Sequence, residues 1–182
     1  MGGLAQALSL KLSAAYNDIP LEMNGTLGSL ASITRNEQLP LNLTGKVADV
    51  LLEISGTLGK PLQGQGLDAD FKLEAPALET LAKLSGKALP KTGPLRITGQ
   101  VSEKDGSYAL KNLDATAGKV NLKADGQVTP GPEMNMKMTI KLVAESLAHL
   151  DELAATQLPD LKPLALDATL ANKDGGYQVS GL

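Results

Sequence analysis

Cysteine and tryptophan are absent from this 182-residue chain, and histidine occurs once, at His149. Without cysteine there is no disulfide scaffold, thiol nucleophile or cysteine-ligated metal, and a single histidine excludes a metal site built on paired histidines. Aromatic residues are also scarce: Tyr16, Phe71, Tyr108 and Tyr177 are all there are. With a net charge of −3, this scarcity argues against a nucleic-acid binder, which needs a basic surface and aromatic stacking platforms.

Long apolar runs and catalytic motifs are lacking too. No run approaches the ~18 apolar residues of a membrane-spanning helix, and the Met-Gly-Gly start has no charged n-region or apolar h-region, which predicts an internal segment rather than a signal peptide. Phosphate-binding loops and Gly-x-Ser-x-Gly elbows are missing. We therefore predict a protein that is not an enzyme and that holds no metal or cofactor.

What the chain has in quantity is alternation of apolar and polar residues. In one segment, for example, Leu21, Met23, Gly25 and Leu27 alternate with polar residues. Successive side chains of a β-strand point to opposite faces, so each such segment predicts a strand with one apolar and one polar face. About a dozen of these segments, separated by Gly, Pro, Asn and Asp, predict a mainly β fold of antiparallel hairpins.

Two segments depart from the period of two. Ala75–Leu84 and Glu145–Leu158 carry leucines three and four residues apart. That spacing places the leucines on one stripe of a helix, with charged residues around the rest. We expect two short helices at these positions.

An internal repeat contains both predicted helices. With a constant offset of 69 residues, Phe71–Leu113 aligns with Ile140–Leu182 without a gap, and the leucines, Leu-Pro pairs and Asp-Gly turns coincide. Such self-similarity is typical of an array of related units. We expect three parts: an N-terminal strand segment of the same sheet over 1–65, a first repeat unit over 66–139, and a truncated second unit over 140–182.

The apolar face of a dozen strands exceeds what two helices cover. Strands about 4.8 Å apart make a sheet roughly 55–60 Å wide, and a helix about 10 Å across covers about two of them. The surplus must be hidden by a second sheet, by another chain, or by an apolar ligand lying in a trough. The scarcity of aromatics, which usually fill sandwiches, favours a long curved antiparallel sheet forming an open trough, with a β-sandwich as the alternative.

We expect acyl chains to lie in such a trough, with headgroups near its wet rim. Flexible methionines suit an adaptable apolar surface of this kind. The residues predicted to line the lipid-binding groove are Leu95, Ile97, Val101, Leu110, Val120, Leu122, Met134, Met136, Met138, Ile140, Leu164 and Leu166. The alternative function is a non-lipid structural or protein-interaction β-module.

The stretch Leu84–Val128 carries an ordered set of motifs: a Leu-rich segment, a Leu-Pro pair followed by Gly-Pro-Leu, an Asp-Gly-x-Tyr turn, and Leu-x-x-Leu-x-Ala-x-x-Gly. These motifs resemble the repeating unit of the AsmA-like proteins of Gram-negative bacteria. Glu145–Leu182 follows the same order, and the resemblance covers most of Gly66–Leu182.

The resemblance implies a periplasmic segment of a protein anchored in the inner membrane by parts outside this sequence. Such proteins are similar in architecture to bridge-like lipid transfer proteins, with a twisted sheet trough lined by apolar residues. The expected partner is phospholipid or another acyl lipid, and the expected roles are lipid transport between the inner and outer membranes and outer-membrane assembly. No nucleic-acid partner is expected, and the sequence specifies no protein partner.

Overall fold

A computed structural model gives the fold, and it describes residues 6–16, 19–81, 93–131, 134–146, 162–173 and 176–180. Strands account for most of these residues. They are β1 (Ala7–Tyr16), β2 (Ile19–Ser29), β3 (Leu39–Val47), β4 (Val50–Lys60), β5 (Gln65–Ala75), β6 (Leu95–Lys104), β7 (Ser107–Ala117), β8 (Val120–Thr129), β9 (Asn135–Ala144), β10 (Leu164–Lys173) and β11 (Gly176–Ser180). The described helical elements are α1 (Leu30–Thr34) and a 3-10 turn at Leu78–Leu81.

All of these strands form one sheet. Its order is the order of the sequence, from β1 to β11, and every neighbouring pair is antiparallel. The mainly β fold and the open antiparallel sheet are thus confirmed. The β-sandwich alternative is wrong for the described strands, because they lie in a single sheet whose substantial strand contacts are all between neighbours.

The alternation in the sequence determines the two faces of the sheet. Along β2, the residues from Ile19 to Leu27 are half-buried and exposed in turn, and β9 shows the same alternation up to its last residue. The half-buried positions are the apolar ones. Because a period of two matches the pleat of a strand, each strand contributes apolar side chains to the same side of the sheet.

The two rims of the sheet, where the strands end, differ. We call the rim at the β3–β4, β5–β6, β7–β8 and β9–β10 connections the buried rim, because the chain packs closely there. The buried strand ends on this rim are Val50, Ala75, Leu95, Val120 and Ala144. The opposite rim carries the β2–β3 connection, where Leu39 is buried, and the β4–β5, β6–β7 and β8–β9 turns. We call it the open rim after these three turns.

The helical elements differ from those predicted. In Ala75–Leu84, Ala75 belongs to β5, where it pairs with Leu95, and the chain then makes only the single 3-10 turn; the rest of the segment lies outside the described residues. In Glu145–Leu158, the first two residues follow β9 in non-helical backbone, and the remainder also lies outside the described residues. Neither predicted helix is confirmed.

The short helix α1 was not predicted from the sequence. It connects β2 to β3 and begins after Ser29, whose hydroxyl oxygen accepts a hydrogen bond from the Ser32 backbone N–H at 3.1 Å. Serine is a favoured residue at this position because it satisfies a backbone donor that the helix leaves free. Leu39 at the start of β3 is buried beside this connection.

Candidate functional site

The most distinctive surface of the molecule is an apolar face that runs across the sheet. Directly opposed residues of antiparallel strands point to the same face, so the strand register traces rows of side chains. One row crosses β1 to β10 through Leu12, Met23, Gly45, Leu52, Leu73, Ile97, Ala115, Leu122, Leu142 and Leu166. A second crosses them through Leu8, Leu27, Leu41, Gly56, Ala69, Val101, Leu110, Gly126, Met138 and Leu170.

The area of this face is large for the size of the protein. The eleven strands lie about 4.8 Å apart, and all but the five-residue β11 are about 34 Å long, which gives a face of roughly 1,600 Å². The largest apolar patch of an ordinary monomer is about 300–600 Å². The accessible surface of the chain is 11727 Å², and a compact monomer of its mass would expose about 8,300 Å². A single-layered sheet accounts for the difference, because both of its faces contact solvent.

Little of the described molecule is a conventional core. The buried apolar side chains are few and mostly small. Most lie at strand ends, and the others, Ala69, Ala124 and Ala168, lie within β5, β8 and β10. The main cluster consists of Val50, Ala75 and Leu95, with Leu73, Leu78, Ile97 and Ala117 packed against it. It therefore closes one rim and leaves the middle of the apolar face without a covering layer of described residues.

The register places eleven of the twelve predicted groove residues on the apolar face. Met134 is the exception in position: it precedes β9, which begins at Asn135, and its side chain is 41% exposed. Leu95 and Val120 face the same side but are buried at the rim, with exposures of 5% and 8%. These two residues belong to the packed rim rather than to the open middle of the face. The others are half-buried.

The opposite face is polar and carries ion pairs both within β5 and between neighbouring strands. The Nζ of Lys72 lies 2.9 Å from Oε2 of Glu74 and 3.6 Å from Oε1 of Glu53, and Nη1 of Arg96 lies 2.6 Å from Oε1 of Glu74. The hydrogen bond from Lys72 lowers the pKa of Glu74 and raises that of Lys72, and the Arg96 charge adds to the effect on Glu74. These exposed pairs stabilise only modestly but keep this face wet.

A depression of about 440 Å³ on the polar face lies where β6 and β7 lose their regular register. Its lining includes Asp70, Lys72, Gln100 and Asn112. Asn112 has a φ of 51° and donates its backbone N–H to Oδ1 of Asp125 at 2.7 Å. The irregular register of β6 and β7 accounts for the shape of the depression. Lys72, which lines it, is already paired with Glu53 and Glu74.

Two charged side chains stand on the apolar face of the described strands, Lys60 on β4 and Glu103 on β6. Glu103 is 6% exposed, and its two carboxylate oxygens accept the backbone N–H groups of Gly66 at 2.5 Å and Gly106 at 2.6 Å. Those two hydrogen bonds lower the pKa of Glu103, and the Lys60 charge adds to the effect. Sequence reasoning missed both residues, although each occupies an apolar-face position of its strand.

Comparison of the chain with family models, curated proteins and solved structures found no match. Among the described residues, no helix is long and apolar enough to cross a bilayer. Nor do three histidine or acidic side chains come together in the described parts of the chain to form a metal site. The apolar face is therefore the feature on which a functional argument rests.

Proposed function

We propose that the apolar face binds the acyl chains of phospholipid or another acyl lipid, as part of a periplasmic segment of an AsmA-like protein. In this role the segment contributes to lipid transport between the inner and outer membranes and to outer-membrane assembly. The observation that carries the proposal is the continuous apolar face, about 1,600 Å² in extent, over which no described layer packs.

The curvature of the sheet into a trough is part of this proposal. At Gly56, a Cβ atom would lie 2.1 Å from the Asp68 carbonyl oxygen of the next strand, and at Gly126 it would lie 2.6 Å from the Lys137 carbonyl oxygen. Glycine within a strand often marks a bend where another backbone approaches closely. Apolar-face side chains are also less exposed than their polar neighbours along β2, as expected for the concave side.

Energetics favour an apolar occupant over water. Burying one Leu, Ile, Val or Met side chain contributes roughly 1.5–3 kcal/mol, and the two ten-strand rows alone supply more than a dozen such residues. An acyl chain is long, flexible and unbranched, so it conforms to a surface of leucine and methionine. Its headgroup then remains in water at a rim.

The test is lipid content and uptake of the purified chain. Organic extraction and native mass spectrometry are expected to find co-purified lipid, and the chain is expected to take up a fluorescent fatty acid. Met136→Asp, on the apolar face, should lower uptake about tenfold, because the charge removes apolar contact worth roughly 1.5–3 kcal/mol. Lys137→Asp, next to it on the polar face, is the matched control and should change uptake little.

Absence of both co-purified lipid and fatty-acid uptake contradicts the proposal. So does an equal loss of uptake in the two variants, provided that circular dichroism finds both folded. The second candidate is then a structural or protein-interaction module, which one observation favours: β1 and β11 each have a single neighbour in the described sheet. Exposed strand edges are ready sites for pairing with another chain.

A further inference from the structure

The two rims of the apolar face offer a headgroup very different surroundings. Along the buried rim, Val50, Leu95 and Ala144 are 5%, 5% and 1% exposed. A charged headgroup placed among these side chains would lose water and contact apolar groups, which costs several kcal/mol. Two charged side chains of this rim, Lys119 and Glu145, are exposed in its connections and pair with each other at 2.9 Å. At the open rim, by contrast, Lys60 and Gln65 are exposed, and Tyr108 is 42% exposed. The headgroup of a bound lipid is therefore expected at the open rim.

On the apolar face of the described strands, charged side chains occur only at the open rim. Of the side chains that the described strands place on the apolar face, the charged ones are Lys60 and Glu103, one on each side of β5. The carboxylate of Glu103 already has hydrogen-bond partners within the protein, because each of its oxygens accepts a backbone N–H. Its side chain is also buried. Its hydrogen bonds hold the start of β5 to the β6–β7 turn, which is a structural role.

Lys60 is in the opposite situation. Its ammonium group makes no ion pair or hydrogen bond with the described residues, and its side chain is exposed. Its register partner on the same face is Gln65, which is also exposed. The charge of Lys60 acts on Glu103, but Lys60 forms no ion pair with a described side chain. An exposed cation of this kind at the end of an apolar row is suited to an anionic group attached to an apolar chain.

We propose that Lys60 binds the carboxylate or phosphate of an acyl lipid whose chain lies on the apolar face, so that headgroups leave the trough at the open rim between β4 and β6. The inference rests on the proposed function and extends it in two respects. It gives the bound lipid an orientation, and it gives the site a preference for anionic over uncharged headgroups.

The experiment compares a fluorescent fatty acid with its methyl ester, which has the same chain and no charge. The unmodified chain is expected to bind the acid more tightly than the ester, and Lys60→Gln should weaken binding of the acid about two- to fivefold, as for an exposed ion pair, while leaving the ester unchanged. Lys60→Arg should retain the preference. Lys46→Gln, which removes the same charge from the polar face of β3, is the matched control.

Two further arms identify the source of the anionic group and the nature of the force. Displacement of the probe by lysophosphatidic acid and by monoacylglycerol, its uncharged counterpart, measures the preference for phosphate. The acid–ester difference should also shrink as salt is raised, because salt screens an exposed charge pair.

An acid–ester ratio that is the same in Lys60→Gln and in the unmodified chain overturns the inference and leaves the proposed function standing. An equal fall in Lys46→Gln does the same, whereas failure to take up either probe overturns both.

Discussion

The close approach of β4 and β5 at Gly56 gives a direct test of how the sheet bends. A Cβ atom at Gly56 would lie 2.1 Å from the Asp68 carbonyl oxygen and 2.5 Å from Cα of Ala69. Gly45 also lies on the apolar face, one strand away, but a Cβ there would be 3.7 Å from its nearest neighbour, the Glu22 carbonyl oxygen. Alanine at the two positions is therefore the same chemical change in two very different spaces.

The magnitudes follow from these distances. At Gly56 the strands must separate by more than about 1 Å to restore ordinary contact, and such overpacking typically costs about 1–3 kcal/mol. At Gly45 alanine fits, and restricting the unfolded chain stabilises the fold by about 0.4–1 kcal/mol. The two variants should differ by about 1.4–4 kcal/mol, which for a chain of this length corresponds to a difference in Tm of about 3–16 °C.

The assay is unfolding by heat and by urea, followed by circular dichroism, of Gly56→Ala, Gly45→Ala and the unmodified chain. The expected order of stability is Gly45→Ala first, then the unmodified chain, then Gly56→Ala. If Gly56→Ala proves as stable as Gly45→Ala, the strands do not approach as closely as described. The support that Gly56 lends to a curved trough is then lost.

The remaining predictions concern a buried carboxylate and the division between core and open face. The pKa of Glu103 is lowered by the backbone N–H groups of Gly66 and Gly106, so its ionised form stabilises the fold above the ordinary glutamate pKa of about 4.3, and this contribution disappears as pH falls through the lowered value. The Tm gap between the unmodified chain and Glu103→Gln should therefore be widest at neutral pH and should narrow as pH falls below the ordinary glutamate pKa of about 4.3; a gap that does not change with pH contradicts this. Leu95→Ala should lower the free energy of unfolding by about 2–5 kcal/mol, because Leu95 is 5% exposed. Met138→Ala should cost about 1 kcal/mol and act mainly on lipid uptake; urea unfolding and uptake measured together would contradict this if the ranking were reversed.

Face assignment was predictable because it is a geometric consequence of the strand. Alternation over a few residues is enough to decide which side chains share a side of the sheet, whatever the neighbouring strands are. Ile97, Met138 and Leu166 were assigned to one face on this basis, and the register places them there. Burial was less predictable, since Leu95 alternates like Ile97 but also packs against Val50 at the rim.

The helices were harder to predict because short periodic patterns are ambiguous. Three leucines in Ala75–Leu84 fit one helical stripe, but Ala75 continues the ladder with Leu95, and only one 3-10 turn follows in the described residues. A stretch this short has little helical stability of its own. Conversely, α1 is five residues long, which is too short for a helical period to be recognised in the sequence. The residue that indicates a helix there is Ser29, at the N-cap position.

The alternation of β6 puts Glu103 on the apolar face, but its burial could not have been found from the sequence, because one of its two partners is far from it in the chain. Gly66 precedes it by 37 residues, and only the pairing of β5 with β6 brings that N–H to the carboxylate. Lys60 is different: it continues the alternation of β4 past Leu58, so the sequence already placed a cation at the end of an apolar row. Its significance depends on knowing which rim is buried.

The positions of the strand ends bear on how such a sheet lengthens. β5 ends at Ala75 and β9 at Ala144, while β6 begins at Leu95 and β10 at Leu164; each pair is 69 residues apart, the offset of the sequence alignment. The duplication itself stays a prediction. An interval of four strands nevertheless has a geometric consequence, because an even number of antiparallel strands returns the chain to its starting direction.

That consequence is a constant orientation of the two rims. The β5–β6 and β9–β10 connections both fall on the buried rim, and the side chains 69 residues apart at the other rim, Glu103 and Asn172, both bond to backbone near the start of the preceding strand. Glu103 accepts from Gly66, whereas Asn172 donates to the Met134 carbonyl oxygen. After an odd number of antiparallel strands the chain direction is reversed, so equivalent connections would fall alternately on one rim and on the other. An interval of four strands instead puts the β5–β6 and β9–β10 connections on the same rim, as the proposed binding of lipids with headgroups on one side requires.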